Sequence, residues 1–157
     1  AIADGLRNLA ALAGSGVAGR ELREQLVAQA SRFFAADAVA LWRLETRDRV
    51  WRIATASGLS TDYSSVAIAA PDHYNTGDVL AAPLFIADVH AWPLVDERQA
   101  LYDSEGIATF LVMPLKIMGD TAGTICCYYR THRSGLPPAE LAAAGAFSEI
   151  SSIALSS

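Results

Sequence analysis

The spacing of apolar residues changes several times along the chain, and each change marks an element. Ile2, Leu6, Leu9 and Ala13 recur at four-three-four intervals, one stripe of a helix, and Gly14-Ser15-Gly16 closes it. A second helix follows, with Glu21 and Glu24 at its positive end and Leu22, Leu26, Ala30, Phe33 and Phe34 forming its buried face. The period then shortens. Residues 38–44 and 50–57 read as strands joined by the charged turn Glu45-Thr46-Arg47-Asp48-Arg49, and Gly58 ends this first hairpin.

From 59 to 105 no period is sustained. Pro71, Gly77, Pro83 and Pro93 interrupt the segment, which holds a short strand over 84–88 and a helix over 94–102. Residues 109–117 are apolar on both faces, Phe110, Val112 and Pro114 alternating with Leu111, Met113 and Leu115, so this strand is expected to be covered on both sides. Met118-Gly119-Asp120-Thr121 turns the chain back into an antiparallel partner over 122–130. Proline cannot donate to a ladder, so Pro114 predicts a bulge or an unpaired N–H at that point. The last helix opens at Pro138, with Glu140 in its first turn, Leu136 placed to staple against Leu141, and a stripe of Leu141, Phe147, Ile150 and Ala154. Pro137, at its cap, has no side-chain acceptor.

Several of these pieces carry a resemblance. They are Ala35-Ala36-Asp37-Ala38-Val39-Ala40-Leu41-Trp42, Ile86-Ala87-Asp88-Val89 with Pro93-Leu94, Met113-Pro114-Leu115, Gly119-Asp120, Ala122-Gly123-Thr124-Ile125 and Leu136-Pro137-Pro138-Ala139-Glu140-Leu141. In this order, over nearly the whole chain, they resemble the GAF domain, a small-ligand sensor module of bacterial signalling proteins. The resemblance implies an α/β (α+β) sandwich: an antiparallel sheet with the first, second and last helices on one face and a long pocket-covering connection on the other, the two hairpins meeting edge to edge. It implies one sensor domain over 1–157, with terminal helices over 1–14 and 138–155. An unidentified small-molecule ligand would sit between sheet and connection, an output domain such as that of a sensor histidine kinase would follow in cis, and the terminal helices would form a homodimer. The alternative is a ligand-free dimerisation and relay module whose pocket is filled by its own side chains.

Composition narrows the partners. The 157 residues are 52% hydrophobic, ample for one core, and the net charge of −5 without a Lys/Arg run argues against duplex nucleic acid, which demands clustered cations. No apolar run approaches the roughly 18–20 residues that span a bilayer, and the start lacks a signal-peptide pattern, so a cytoplasmic domain is expected. The absence of an initial Met and the helical pattern at the end suggest a piece of a longer protein.

Candidate chemistry is sparse. Gly14-Ser15-Gly16-Val17-Ala18-Gly19 spells the dinucleotide fingerprint but follows a helix, so it reads as a helix-to-helix connection. His73, His90 and His132 show no metal spacing, although His73 and His90 share the long connection and could face one ligand or haem iron. Cys126 and Cys127 are adjacent on a strand and point to opposite faces, which denies the paired thiols that methionine sulfoxide reductase relatives use. Relatives that attach a bilin covalently use a cysteine in the long connection or the helix after it, and 59–105 contains none, leaving a non-covalent ligand as the cofactor expectation. The cyclic-nucleotide signature of other relatives is missing as well. The ligand wall is assigned to Trp42, Ile53, Phe110, Val112, Cys126 and Tyr128 of the sheet and to Tyr63, His73, Tyr74, Trp92 and Tyr102 of the connection, an apolar surface with few polar groups. Trp92 and Tyr102 read equally well as closing a small core beneath that connection.

Overall fold

The computed structural model describes residues 2–69, 81–91 and 96–156. Helices α1 (Ile2–Ala13) and α2 (Gly19–Phe33) precede the hairpin β1 (Ala38–Glu45) and β2 (Val50–Ser57). The connection then holds a single helical turn α3 (Thr61–Ser64), the strands β3 (Ala67–Ala69) and β4 (Leu84–Ile86), a 3-10 turn (Val89–Ala91) and α4 (Asp96–Glu105). The second hairpin, β5 (Thr109–Ile117) and β6 (Asp120–Tyr129), leads to α5 (Pro138–Ser156).

All strand pairs are antiparallel, in the order β3-β2-β1-β6-β5-β4. The hairpins therefore meet through β1 and β6, from Ala38 opposite Tyr128 to Arg43 opposite Gly123. Gly123 is required there, since a Cβ would lie 2.5 Å from the Trp42 carbonyl oxygen.

Both sheet faces are covered, as the two-sided apolar pattern of β5 demands. On one face α1, α2 and α5 pack Leu9, Leu22, Leu26, Ala30, Phe34 and Phe147 against Val39, Leu41, Leu111, Met113, Ile125 and Cys127. The Phe33, Phe34 and Phe147 rings meet there at 4.7–5.7 Å between centroids, the separation at which aromatic pairs attract.

Several expectations shift. The connection contains α3 and β3, too short to show a period, while β4 stops at Ile86 and α4 runs from Asp96 to Glu105 where 84–88 and 94–102 were expected. The β5–β6 turn is tighter than Met118 to Thr121: Met118 and Gly119 alone make it, both at positive φ. Ile2 is 38% and Leu141 42% exposed, so neither belongs to a buried stripe. Leu136 packs against the core without Leu141 as a buried staple partner.

The irregularity expected at Pro114 lies one residue further on, between Leu115 and Lys116. Helix α5 supplies the missing partners. Ser148 Oγ donates to the Pro114 carbonyl, and the Lys116 N–H donates to Ser152 Oγ at 3.0 Å. Hydroxyls on one helix thus satisfy a strand where its ladder is broken.

Candidate functional site

The opposite face of the sheet carries the sequence-assigned wall. Trp42 comes from β1, Phe110 and Val112 from β5, and Cys126 and Tyr128 from β6; Tyr63 and Tyr102 close on them from α3 and α4. All seven are buried, and Ile53 packs partly buried against the same cluster. His73, Tyr74 and Trp92 lie outside the described residues.

Local chemistry explains each placement. Ser60 caps α3, its hydroxyl accepting from the Tyr63 N–H at 3.1 Å, and this fixes the turn that drives the Tyr63 ring inward. Beyond the end of α4, Gly106 adopts a φ of 73°, and the Ile107 N–H returns to the Tyr102 carbonyl at 2.9 Å. In the β1–β2 ladder the register shifts, Leu41 facing Thr55 and Trp42 facing Ile53. That extra residue puts Ile53 and Ala56 on one face although they are three apart.

The rings form a continuous chain. Trp42 meets Tyr63 at 6.3 Å, Tyr63 meets Tyr128 at 5.8 Å, Tyr128 meets Phe110 at 6.0 Å, and Phe110 meets Tyr102 at 5.5 Å. Its polar centre is Tyr128 Oη, which accepts from Trp42 Nε1 at 2.9 Å and lies 3.3 Å from Tyr63 Oη. Burial pushes the Tyr63 and Tyr128 hydroxyls well above the ordinary tyrosine range, Tyr102 and Cys126 adding to the rise at both, so both stay neutral hydrogen-bonding groups.

Cys126 faces this cluster and Cys127 faces the helices. Burial pushes the Cys126 thiol up to about 11, against the lowering pull of hydrogen bonds from Thr124 and Tyr128, and pushes Cys127 up as well. Burial therefore disfavours, at both, the thiolate that nucleophilic or redox chemistry needs.

Sequence reasoning overlooked the neck of the connection. The Arg130 guanidinium donates to the Gly58 carbonyl at 2.8 Å and to the Glu105 carbonyl at 3.2 Å, so one side chain ties together both ends of the 59–105 segment. The Ser60 N–H adds a direct bond to the Glu105 carboxylate, and Asp37 accepts from the Arg130 N–H at 2.7 Å. An arginine at the end of a strand was the only available signal. His90 does not face the cluster. Its ring is exposed, Nδ1 lying 3.1 Å from Gln99 Oε1 and Nε2 3.3 Å from Asp103 Oδ1. Among the described residues no group of three or more His, Cys, Asp or Glu is arranged to hold a metal, and no helix is long and apolar enough to cross a membrane.

The model of the GAF domain family matches residues 20–155, and the chain belongs to that family. A domain described as that of a two-component sensor histidine kinase from Sinorhizobium meliloti 1021 is 20% identical, with 87% of each chain covered and a TM-score of 0.68. The phycocyanobilin-bound GAF domain of a cyanobacterial phytochrome is 14% identical over 99% of this chain and 94% of that one, TM-score 0.81. The free methionine-R-sulfoxide reductase of Neisseria meningitidis, solved with its substrate, is 15% identical over 98% and 87%, TM-score 0.75. At these identities the structural likeness speaks for the fold. No curated protein matches significantly.

Proposed function

We propose that this chain is a cytoplasmic sensory domain of a signalling protein such as a sensor histidine kinase, binding a small molecule non-covalently on the aromatic face of the sheet. The carrying observation is the Trp42–Tyr128–Tyr63 hydrogen-bonded centre within an apolar ring cluster, roofed by a connection whose ends Arg130 ties. Neutral hydroxyls and ring faces without a formal charge among the described cluster residues suit an uncharged, ring-containing ligand. His73, Tyr74 and Trp92 complete the site from the connection in this reading.

Occupancy would reach the output domain in cis through β5, because Ser148 and Ser152 tie α5 to the strand carrying Phe110 and Val112. The domain extends over 1–157 and pairs as a homodimer through its terminal helices, where Ile2 on α1 and Leu141 and Ile153 on α5 are exposed. The burial of both cysteines, on opposite faces of the sheet, supports a sensory role over a thiol-based enzymatic one.

A second reading, a ligand-free relay module, is favoured by the ring contacts themselves, which leave Tyr63, Tyr102, Phe110 and Tyr128 already packed on one another. Native mass spectrometry with a visible spectrum decides. An adduct lost on denaturation supports the ligand reading and gives its mass. A bare mass, with a Tyr102→Ala cost of about 3–5 kcal/mol, supports the self-filled one.

A further inference from the structure

We propose a second binding site, on the helix side of the sheet, for a small carboxylate with an apolar body. A cavity of 190 Å³ opens between the start of α2, the β1–β6 pair and the last turn of α5. Leu22, Leu41, Leu115 and Ile117 give it apolar walls, and Arg23 and Arg43 border it.

These two arginines differ from four others in the chain. Arg7, Arg20, Arg52 and Arg133 each have a carboxylate within salt-bridge reach. Arg23 and Arg43 have none among the described residues, and Arg23 Nε is shielded from solvent without any hydrogen-bond partner. Two like charges bordering one cavity repel, and an anion between them relieves that repulsion. A carboxylate matches the fork of a guanidinium through paired N–H donors.

The polarity of the cavity orients the occupant. Ala18, at its wall, caps α2 without a side-chain acceptor, so first-turn N–H groups of α2 lack a side-chain cap on that side. Ala154 and Leu155 border the other side with the negative end of α5. The carboxylate therefore faces Arg23, and the apolar body points toward α5. A dry cavity of about 150 Å³ accepts benzene, so the space suits a single ring or a short branched chain. This site is separated by the sheet from the aromatic cluster, and its failure would leave the reading of that cluster untouched.

The test is titration of isotope-labelled protein with benzoate, followed through backbone amide shifts, with benzamide and inorganic phosphate as controls. Benzoate is expected to shift Gly19, Ala122 and Gly123 saturably and to bind at least about tenfold more tightly than either control. Arg23→Gln and, separately, the more exposed Arg43→Gln are each expected to weaken benzoate by about tenfold or more, with unfolding temperature checking that each variant is folded. The proposal is overturned by absence of saturation up to about 10 mM benzoate. Equal binding of benzamide, shifts confined to Tyr63, Tyr102 and Tyr128, or undiminished binding by both variants overturns it equally.

Discussion

Replacing Tyr128 by Phe isolates the polar centre of the aromatic cluster. The ring stays, so packing against Phe110 and Tyr63 is kept, but the buried Trp42 Nε1–H loses the acceptor it reaches at 2.9 Å, and Tyr63 Oη loses its neighbour at 3.3 Å. An unsatisfied buried donor costs about 1–3 kcal/mol, and the longer hydroxyl pair contributes about 0.5–1.5 kcal/mol, so Tyr128→Phe should destabilise by about 2–4 kcal/mol. Tyr63→Phe breaks only the longer contact and leaves the Trp42 bond intact, so its cost is about 0.5–1.5 kcal/mol. For a chain of this size each kcal/mol shifts the unfolding midpoint by about 2–4 °C, which separates the two variants clearly. Urea unfolding followed by tryptophan fluorescence and far-UV circular dichroism, on protein refolded from denaturant to remove any bound molecule, gives both values at constant m. If Tyr128→Phe stays within about 0.5 kcal/mol of the parent, or Tyr63→Phe costs as much as Tyr128→Phe, Tyr128 is not the hub and the account of the site is wrong.

Three further outcomes follow from the same structure. Tyr63, Tyr128, Cys126 and Cys127 titrate higher when folded than when unfolded, chiefly through burial, so their stabilisation is whole below about pH 9 and is lost as pH rises. Cys126 alone, moved from 9.0 to about 11, should remove roughly 2–3 kcal/mol between those pH values; urea midpoints under reducing conditions that stay flat from pH 8 to pH 11 would contradict this. Met118 sits at a φ of 53°, 98% exposed, beside Gly119 at 84°, so Met118→Asn should convert the turn to a favoured Asn-Gly pair. A gain of about 0.5–1 kcal/mol is expected by thermal unfolding, and a loss would argue against this turn geometry. Arg130→Gln should leave global stability within about 1 kcal/mol while accelerating amide hydrogen exchange around Ser60, Tyr63 and Ile107; unchanged exchange there would show that Arg130 does not hold the neck.

Much of the fold was legible because apolar period is a local property. The extents of β2 and β5, the start of α5 at Pro138 and the two-sided burial of β5 all follow from residues within one element. Trp42, Phe110, Val112, Cys126 and Tyr128, grouped on one wall of the sheet from the sequence, do share a face. The contents of the long connection were less legible, since α3 and β3 are shorter than any detectable period and owe their shape to Ser60 and to pairing with β2.

Long-range geometry settled the rest. Strand alternation says that Cys126 and Cys127 face opposite ways, but only the pairing of β6 with β1 and β5 shows that Cys126 joins the aromatic cluster. Leu141 has the spacing of a core residue yet lies exposed, because α5 is positioned by Phe147, Ala144 and its serine contacts to the β5 bulge. Arg130 joins positions 47 residues apart in sequence, and Arg23 and Arg43 border one cavity across a helix–sheet boundary. Such meetings depend on how elements dock, which the side-chain period of any one element does not encode.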